Sequence, residues 1–260
     1  MAAIIPIPAF RDNYIWLLRE GGNAVVVDPG DAGPVIAVLD RDGLRLTAIL
    51  NTHHHNDHVG GNLALLARHD VPVFGPRSER IPGMTQPLRE GDRVDVPGIG
   101  MQLDVLDVPG HTAGHIAYVQ RAAGGAVPRA FVGDTLFACG CGRLFEGSPD
   151  EMWSSLQKLA DLPDATEIYC AHEYTLANLR FAAAVEPDNQ AVRARTERET
   201  ARRVRGEPTV PSSLADERAT NPFLRAGHPG VMKVAGRRAG RSVADPVASF
   251  AVLRDWKDGF

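Results

Sequence analysis

Short apolar runs bounded by Gly, Pro, Asp or Asn recur along the first two thirds of the chain. Residues 24–28, 47–51, 71–74, 103–108, 116–119, 130–133 and 167–170 have the length and β-branched content of strands. Between them, 61–69 and 150–162 space their apolar positions as helices do. Beyond about residue 172 the texture becomes Arg- and Ala-rich with a helical period, predicting helices over 175–185 and 189–205. Asp245 followed by Pro246 opens a last helix over 247–257, and Ser213 offers an N-cap with Glu217 one residue out of register for a capping box. The Gly/Ala/Arg stretches near 121–129 and 235–241 read as loops. The pattern predicts an α+β chain: a strand-rich domain over 1–174 and a helical domain over 175–260.

Polar groups gather where those strands end. Asp28 closes one, the run from Thr52 to Gly60 follows another, and His111, Asp134 and His172 each stand just beyond a further strand. Strand ends are where folds of this kind place their sites. The segment Thr52-His53-His54-His55-Asn56-Asp57-His58 is the densest of these. In an extended chain, side chains two apart share a side, so His53 and His55 can meet on one metal ion. Asp57 and His58 can reach a second ion if the backbone curls there, and Gly60-Gly61 lets the chain leave tightly. One loop cannot complete two ions. Adding the other strand ends gives His53, His55 and His111 to one and Asp57, His58 and His172 to the other, with Asp134 as the bridging carboxylate. That leaves positions for water, as a catalytic site requires. Five imidazoles and two carboxylates suit zinc, iron or manganese. His54 should point away from such a site, His69 and His228 read as surface residues, and His115 as a core or supporting histidine.

Charge changes the picture only when divided. The 260 residues carry a net −4, which argues against a nucleic-acid binder. Residues 1–174 hold 13 Lys and Arg against 22 Asp and Glu; residues 175–260 hold 15 against 10. An acidic metal-bearing part is thus followed by a basic helical one. The basic run over 193–205, interleaved with Glu197 and Glu199, reads as a solvated helix face. Three cysteines cannot form a disulfide framework and favour a reducing compartment. No apolar run approaches the roughly 18 residues of a membrane span, and no signal segment opens the sequence. A cytoplasmic, monomeric protein is expected.

The run His53-x-His55-x-Asp57-His58, with His111, Asp134 and His172, resembles the metallo-β-lactamase superfamily. Within it, the chain is similar to the hydroxyacylglutathione hydrolases, or glyoxalase II family. That resemblance spans nearly the whole chain: Phe10-x-Asp12-Asn13-Tyr14, Gly133-Asp134-Thr135, Gly140-Cys141-Gly142-Arg143-Leu144-Phe145, His172-Glu173-Tyr174, Asn221-Pro222-Phe223-Leu224-Arg225 and Arg254-x-x-Lys257-Asp258. It implies a four-layer αβ/βα sandwich with two divalent metals, zinc foremost, followed by a helical domain. It also implies hydrolysis of S-D-lactoylglutathione to glutathione and D-lactate, the second step of methylglyoxal detoxification. Glutathione contacts would fall to Arg143, Tyr174, Arg254 and Lys257. Phe145 stands where many members carry Tyr, so a phenolic contact would be missing.

The chemistry agrees from first principles. Two metals make hydroxide available near neutral pH and polarise the thioester carbonyl. Asp57 and Asp134 would orient that hydroxide rather than attack. The thiol leaving group has a pKa of about 8.5 and needs no dedicated acid. Rival readings are a dinuclear phosphodiesterase, a glutathione persulfide dioxygenase with a single iron, and a non-catalytic metal-dependent binding protein.

Overall fold

The structure is a computed structural model that describes residues 2–122 and 127–260. The expected loop over 121–129 therefore lies partly outside the described residues. Two compact units divide the chain: Met1–Asp107 with Thr112–Gly133, and Val108–His111 with Asp134–Phe260.

The first unit holds two sheets. One comprises β1 (Ala3–Ala9), β2 (Asn13–Glu20), β3 (Asn23–Val27), β4 (Arg45–Leu50), β5 (Val73–Pro76) and β6 (Gln86–Leu88), hydrogen-bonded in that order. Its first three strands are antiparallel and the rest parallel. Ala24–Val27 and Ala48–Leu50 are buried throughout, as continuous apolar runs in covered strands should be. The helix α1 (Ala32–Asp42) packs Val35 and Leu39 into the core beside Leu17, Val26 and Ile49. Asp31 caps its start by accepting from Gly33 N, and Gly43 in the left-handed region ends it. The one-turn helix α2 (Asn56–Val59) and short α3 (Asn62–Leu66) follow β4. The second sheet is an antiparallel meander of β7 (Arg93–Asp95), β8 (Gln102–Asp107), β9 (Ile116–Gln120) and β10 (Arg129–Gly133). It is tied to the first by Tyr118 Oη donating to Asn51 O at 2.9 Å and Ile116 N to Thr52 O at 2.9 Å.

Strand β1 escaped the hydrophobic pattern because Pro6 and Pro8 interrupt it. The structure places it at the sheet edge, where the missing N–H groups leave no ladder bond unmade. Helix α1 was masked by Pro34, which sits in its first turn, where N–H groups have no intrahelical partner anyway.

The second unit begins with a small hairpin, β11 (Leu136–Phe137) and β12 (Gly140–Cys141). Helix α4 (Pro149–Ala160) opens with a full capping box from Ser148 and Glu151. After β13 (Glu167–Cys170) come α5 (Thr175–Val185), α6 (Gln190–Val204), β14 (Ser212–Ser213), α7 (Leu214–Thr220), α8 (Pro229–Ala239) and α9 (Pro246–Asp258). Phe181, Phe223 and Phe250 form its aromatic core, with successive ring centroids 5.8 Å apart. Asp245 caps α9 through Ala248 N. Ser213 caps α7 through Asp216 N, while Glu217 turns inward and is fully buried.

Two expectations are corrected here. Residues 235–239 are helical, because Val231 and Ala235 bury one side of α8 and the stop comes at Gly240, φ +66°. The run over 193–205 is not wholly solvated: Arg195 and Glu199 are 1% and 2% exposed, since the Arg195 guanidinium pairs inward with Glu217 at 2.6 Å. Among the described residues no helix is long and apolar enough to cross a membrane.

Gly30, between β3 and α1, lies against the backbone of Asp57: a Cβ there would overlap the Asp57 carbonyl. Gly30→Ala is therefore expected to lower unfolding free energy by about 1–3 kcal/mol, measured by urea denaturation. An unchanged midpoint would show that the Asp57 loop yields without cost.

Candidate metal centre

In the first unit the ligand candidates follow β4. The chain bends at Thr52 and His53, His55 stands at the N-cap of α2 with φ −60° and ψ 143°, and the helical turn carries Asp57 and His58. That turn supplies the curl the sequence required. His53 and His58 are fully buried, with ring centroids 4.1 Å apart. His53 Nε2 and His55 Nδ1 are 3.1 Å apart, and His58 Nε2 lies 3.6 Å from Asp57 Oδ2. His54 turns the other way, its Nδ1 3.0 Å from Glu79 Oε2. Glu79 also accepts from Thr112 Oγ1 at 2.5 Å and Gly114 N at 3.0 Å, fastening the loops on which these residues ride. His115 is buried and stacks on His53 with centroids 4.6 Å apart, a packing role.

Asp28 does what the sequence reading did not assign. It sits at the end of β3 in the left-handed region, φ +53°, and is 4% exposed. Its carboxylate accepts from Thr52 N at 2.8 Å, from Thr52 Oγ1 at 2.7 Å and from His58 Nδ1 at 3.1 Å. With the Thr52 hydroxyl proton directed to Asp28, Thr52 Oγ1 is an acceptor for His53 Nδ1, 3.1 Å away. Both rings then carry their proton on Nδ1 and present Nε2 as a lone pair. Its position beside a Pro-Gly pair at a strand end was the available signal. Asn13 Nδ2 donates to Asp57 Oδ2 at 3.0 Å, holding the exposed side of that carboxylate.

The second unit holds its own group. His111, Asp134 and His172 are 4%, 6% and 4% exposed. Asp134 Oδ2 lies 3.5 Å from His111 Nε2 and 3.3 Å from His172 Nε2. His111 Nδ1 donates to the Arg143 carbonyl at 2.9 Å, so its Nε2 lone pair faces a carboxylate oxygen. Two electron-rich atoms so placed repel unless a cation sits between them. These donor sets fit divalent metal ions: imidazole nitrogens, those of His53, His58 and His111 with their far nitrogens anchored, and carboxylate oxygens among them.

The other expected residues stand around the second unit's group. Tyr174 stacks parallel on His172 with centroids 4.7 Å apart, and Phe145 sets its face edgewise to His111 at 5.2 Å. Phe145 is 63% exposed. Arg143 is also exposed, its Nε 3.5 Å from Asp258 Oδ1. Arg254 is buried, and Nη1 donates to Cys141 O at 2.9 Å while Nη2 meets Asp258 at 2.9 Å. Lys257 Nζ lies over the rings of Phe181 and Phe260. Burial, then the neighbouring guanidinium groups of Arg254, Arg180 and Arg143, push its ammonium below the usual lysine range. The three cysteines are buried thiols, with burial pushing Cys139 and Cys170 up to about 12 and Cys141 to about 11. None is a thiolate nucleophile near neutral pH.

Comparison with known proteins agrees with this architecture. The Metallo-beta-lactamase superfamily matches residues 9–172, and the family Hydroxyacylglutathione hydrolase C-terminus matches residues 173–260. ETHE1 from Myxococcus xanthus superposes with a TM-score of 0.64 at 24% identity, covering 100% of both chains. The fold is thus α+β and of the metallo-β-lactamase class. A hydroxyacylglutathione hydrolase from Alkalilimnicola ehrlichii is 62% identical over 99% of each chain. Another from Nitrosomonas europaea is 53% identical over 100% of this chain and 97% of the relative. The chain belongs to the hydroxyacylglutathione hydrolase family.

If Asp28 fixes the His58 ring for a metal, Asp28→Asn should weaken zinc binding about 10–100-fold, read by competition with a chromophoric chelator. Unaltered affinity would remove Asp28 from that role.

Proposed function

We propose that this protein hydrolyses the thioester of S-D-lactoylglutathione and related 2-hydroxyacylglutathiones, releasing glutathione and a hydroxy acid. His53, His55 and His111 hold one divalent ion, Asp57, His58 and His172 a second, and Asp134 is shared. Zinc is the ion we assign, with iron or manganese compatible with the same donors. The observation that carries the reading is Asp134 set between the Nε2 atoms of His111 and His172, with the His111 ring locked by the Arg143 carbonyl. Membership of the family supports the substrate class.

When bound, such ions acidify water and polarise a carbonyl oxygen. The chain's own residues do the rest. Asp134 and Asp57 hold their positions as carboxylates and orient the attacking oxygen. Tyr174 and Phe145 line the approach beside His172 and His111. Glutathione is anionic at neutral pH, and Lys257 among Arg143, Arg180 and Arg254 is a cationic cluster whose mutual repulsion an anion relieves. Phe145 offers only its ring, so substrate grip here depends more on Lys257 and Arg143. The departing thiolate leaves without a proton donor, which suits the inert, buried cysteines. The proposed metal ligands all lie within residues 1–174, while the proposed substrate contacts are shared between Arg143, Phe145 and Tyr174 there and Arg254 and Lys257 beyond. We place the protein in the cytoplasm as a monomer, where its glutathione partner is abundant and its thiols stay reduced.

Thiol release from S-D-lactoylglutathione by metal-loaded protein, followed with a thiol-reactive chromophore, is the test. Release that His53→Ala abolishes supports the assignment; no release alongside cleavage of a phosphodiester overturns it. Lys257→Ala should raise KM roughly tenfold with little change in kcat, about 1.4 kcal/mol of binding to a charged group. Because its pKa is lowered, KM of the parent should begin to rise at a pH below the ordinary lysine range. A variant with unchanged KM would take Lys257 out of substrate binding.

A further inference from the structure

The Asn221-Pro222-Phe223 segment and the buried Arg195–Glu217 pair have no part in the chemistry above. Their side chains nevertheless converge on one element. Arg195 and Glu217 meet at 2.6 Å with side chains 1% and 0% exposed, and such a pair is costly unless both members gain further partners. Arg195 Nη1 donates to Thr220 Oγ1 at 2.6 Å. Glu217 Oε2 accepts from the backbone N of Cys139 at 2.7 Å and from Asn221 Nδ2 at 3.0 Å. Asn221 Nδ2 also reaches Gly140 O at 2.9 Å, and Asn178 Nδ2 donates to Ala138 O at 3.1 Å. Three of these bonds, to Cys139 N, Gly140 O and Ala138 O, grip the turn of the β11–β12 hairpin, and the others tie Glu217 and Asn221 to each other and to Arg195.

That turn needs holding. Cys139 has φ +58°, a left-handed conformation that a residue with a Cβ adopts only when its surroundings impose it. The hairpin begins two residues after Asp134 and ends two before Arg143. It closes through Gly142 N donating to Thr135 O at 3.2 Å, and the Arg143 carbonyl beyond it receives the Nδ1 proton of His111. The shape of the hairpin therefore sets how far Asp134 stands from the His111 ring.

We propose that Glu217, Asn221 and Arg195 are positioning residues for the metal centre: by holding Cys139 in its left-handed conformation they fix the spacing of Asp134 and His111. The inference rests on those two residues being metal ligands, as assigned above. It accounts for a charged pair buried in the helical unit remote in sequence from every proposed ligand.

Asn221→Ala removes one arm of the clamp and leaves the ion pair intact, while Cys139→Gly lets the turn adopt φ +58° without steric cost. Zinc affinity is measured by chelator competition for the parent, Asn221→Ala, and the double variant Asn221→Ala/Cys139→Gly, each checked for folding by circular dichroism. Asn221→Ala should bind zinc at least tenfold more weakly, and Cys139→Gly should recover most of that loss. Binding within twofold of the parent overturns the proposal, as does a loss that Cys139→Gly leaves undiminished, which would mark the cluster as serving stability alone. Should Asn221→Ala not fold, the isosteric Glu217→Gln, with and without Cys139→Gly, is read in the same way. A parent that binds no zinc would overturn the ligand assignment itself, and the positioning role with it.

Discussion

A neutral imidazole offers a lone pair at one nitrogen only when the other gives its proton to a fixed acceptor, and both units are built around that constraint. His58 gives its Nδ1 proton to Asp28, His53 to the Thr52 hydroxyl, and His111 to the Arg143 carbonyl. The Thr52 hydroxyl is held in turn by Asp28, and the other two acceptors stand on or beside backbone in an uncommon conformation. Asp28 sits at φ +53° at a strand end, and Arg143 follows a hairpin whose Cys139 sits at φ +58°. The atoms of the candidate metal centre are therefore set by main-chain geometry, with the sheets and helices as the rigid frame. Loss of an anchor would free a ring to rotate and present its proton instead of its lone pair.

Much of this was legible in the residues, for physical reasons that differ from place to place. The ligand candidates were readable because metal chemistry restricts residue type: few other demands place His and Asp repeatedly at strand ends. Strand β13 and helix α5 coincide with their expected bounds, since flanking turn residues and a clear period mark them. Strand β1 was hidden by two prolines that only an edge position tolerates, and that position is set by long-range pairing. Strands β6, β7, β11, β12 and β14 have two or three residues each, too short for any periodicity. Arg195 was read as solvated because helical spacing cannot reveal that Glu217, 22 residues on, lies across from it. Asp28 was noticed as a strand-end residue, but its role depends on three donors brought together by the fold.

The separation of charge follows the same division of tasks. The acidic stretch carries the candidate oxygen ligands, Asp57 and Asp134. Arg143 of the acidic stretch joins Arg180, Arg254 and Lys257 of the basic one, and burial together with these neighbouring charges loosens the hold of Lys257 on its proton. Arg254 shows the economy of the arrangement: its guanidinium braces the Cys141 carbonyl and Asp258 while adding to the field around Lys257. The position of Arg254 is thereby fixed by the backbone it braces.

Metal dependence of thioester cleavage bears most directly on this account. Protein stripped with a chelator and dialysed should lose thiol release from S-D-lactoylglutathione, and titration with zinc should restore it, saturating at two ions per chain. Full activity in rigorously metal-free protein would contradict it.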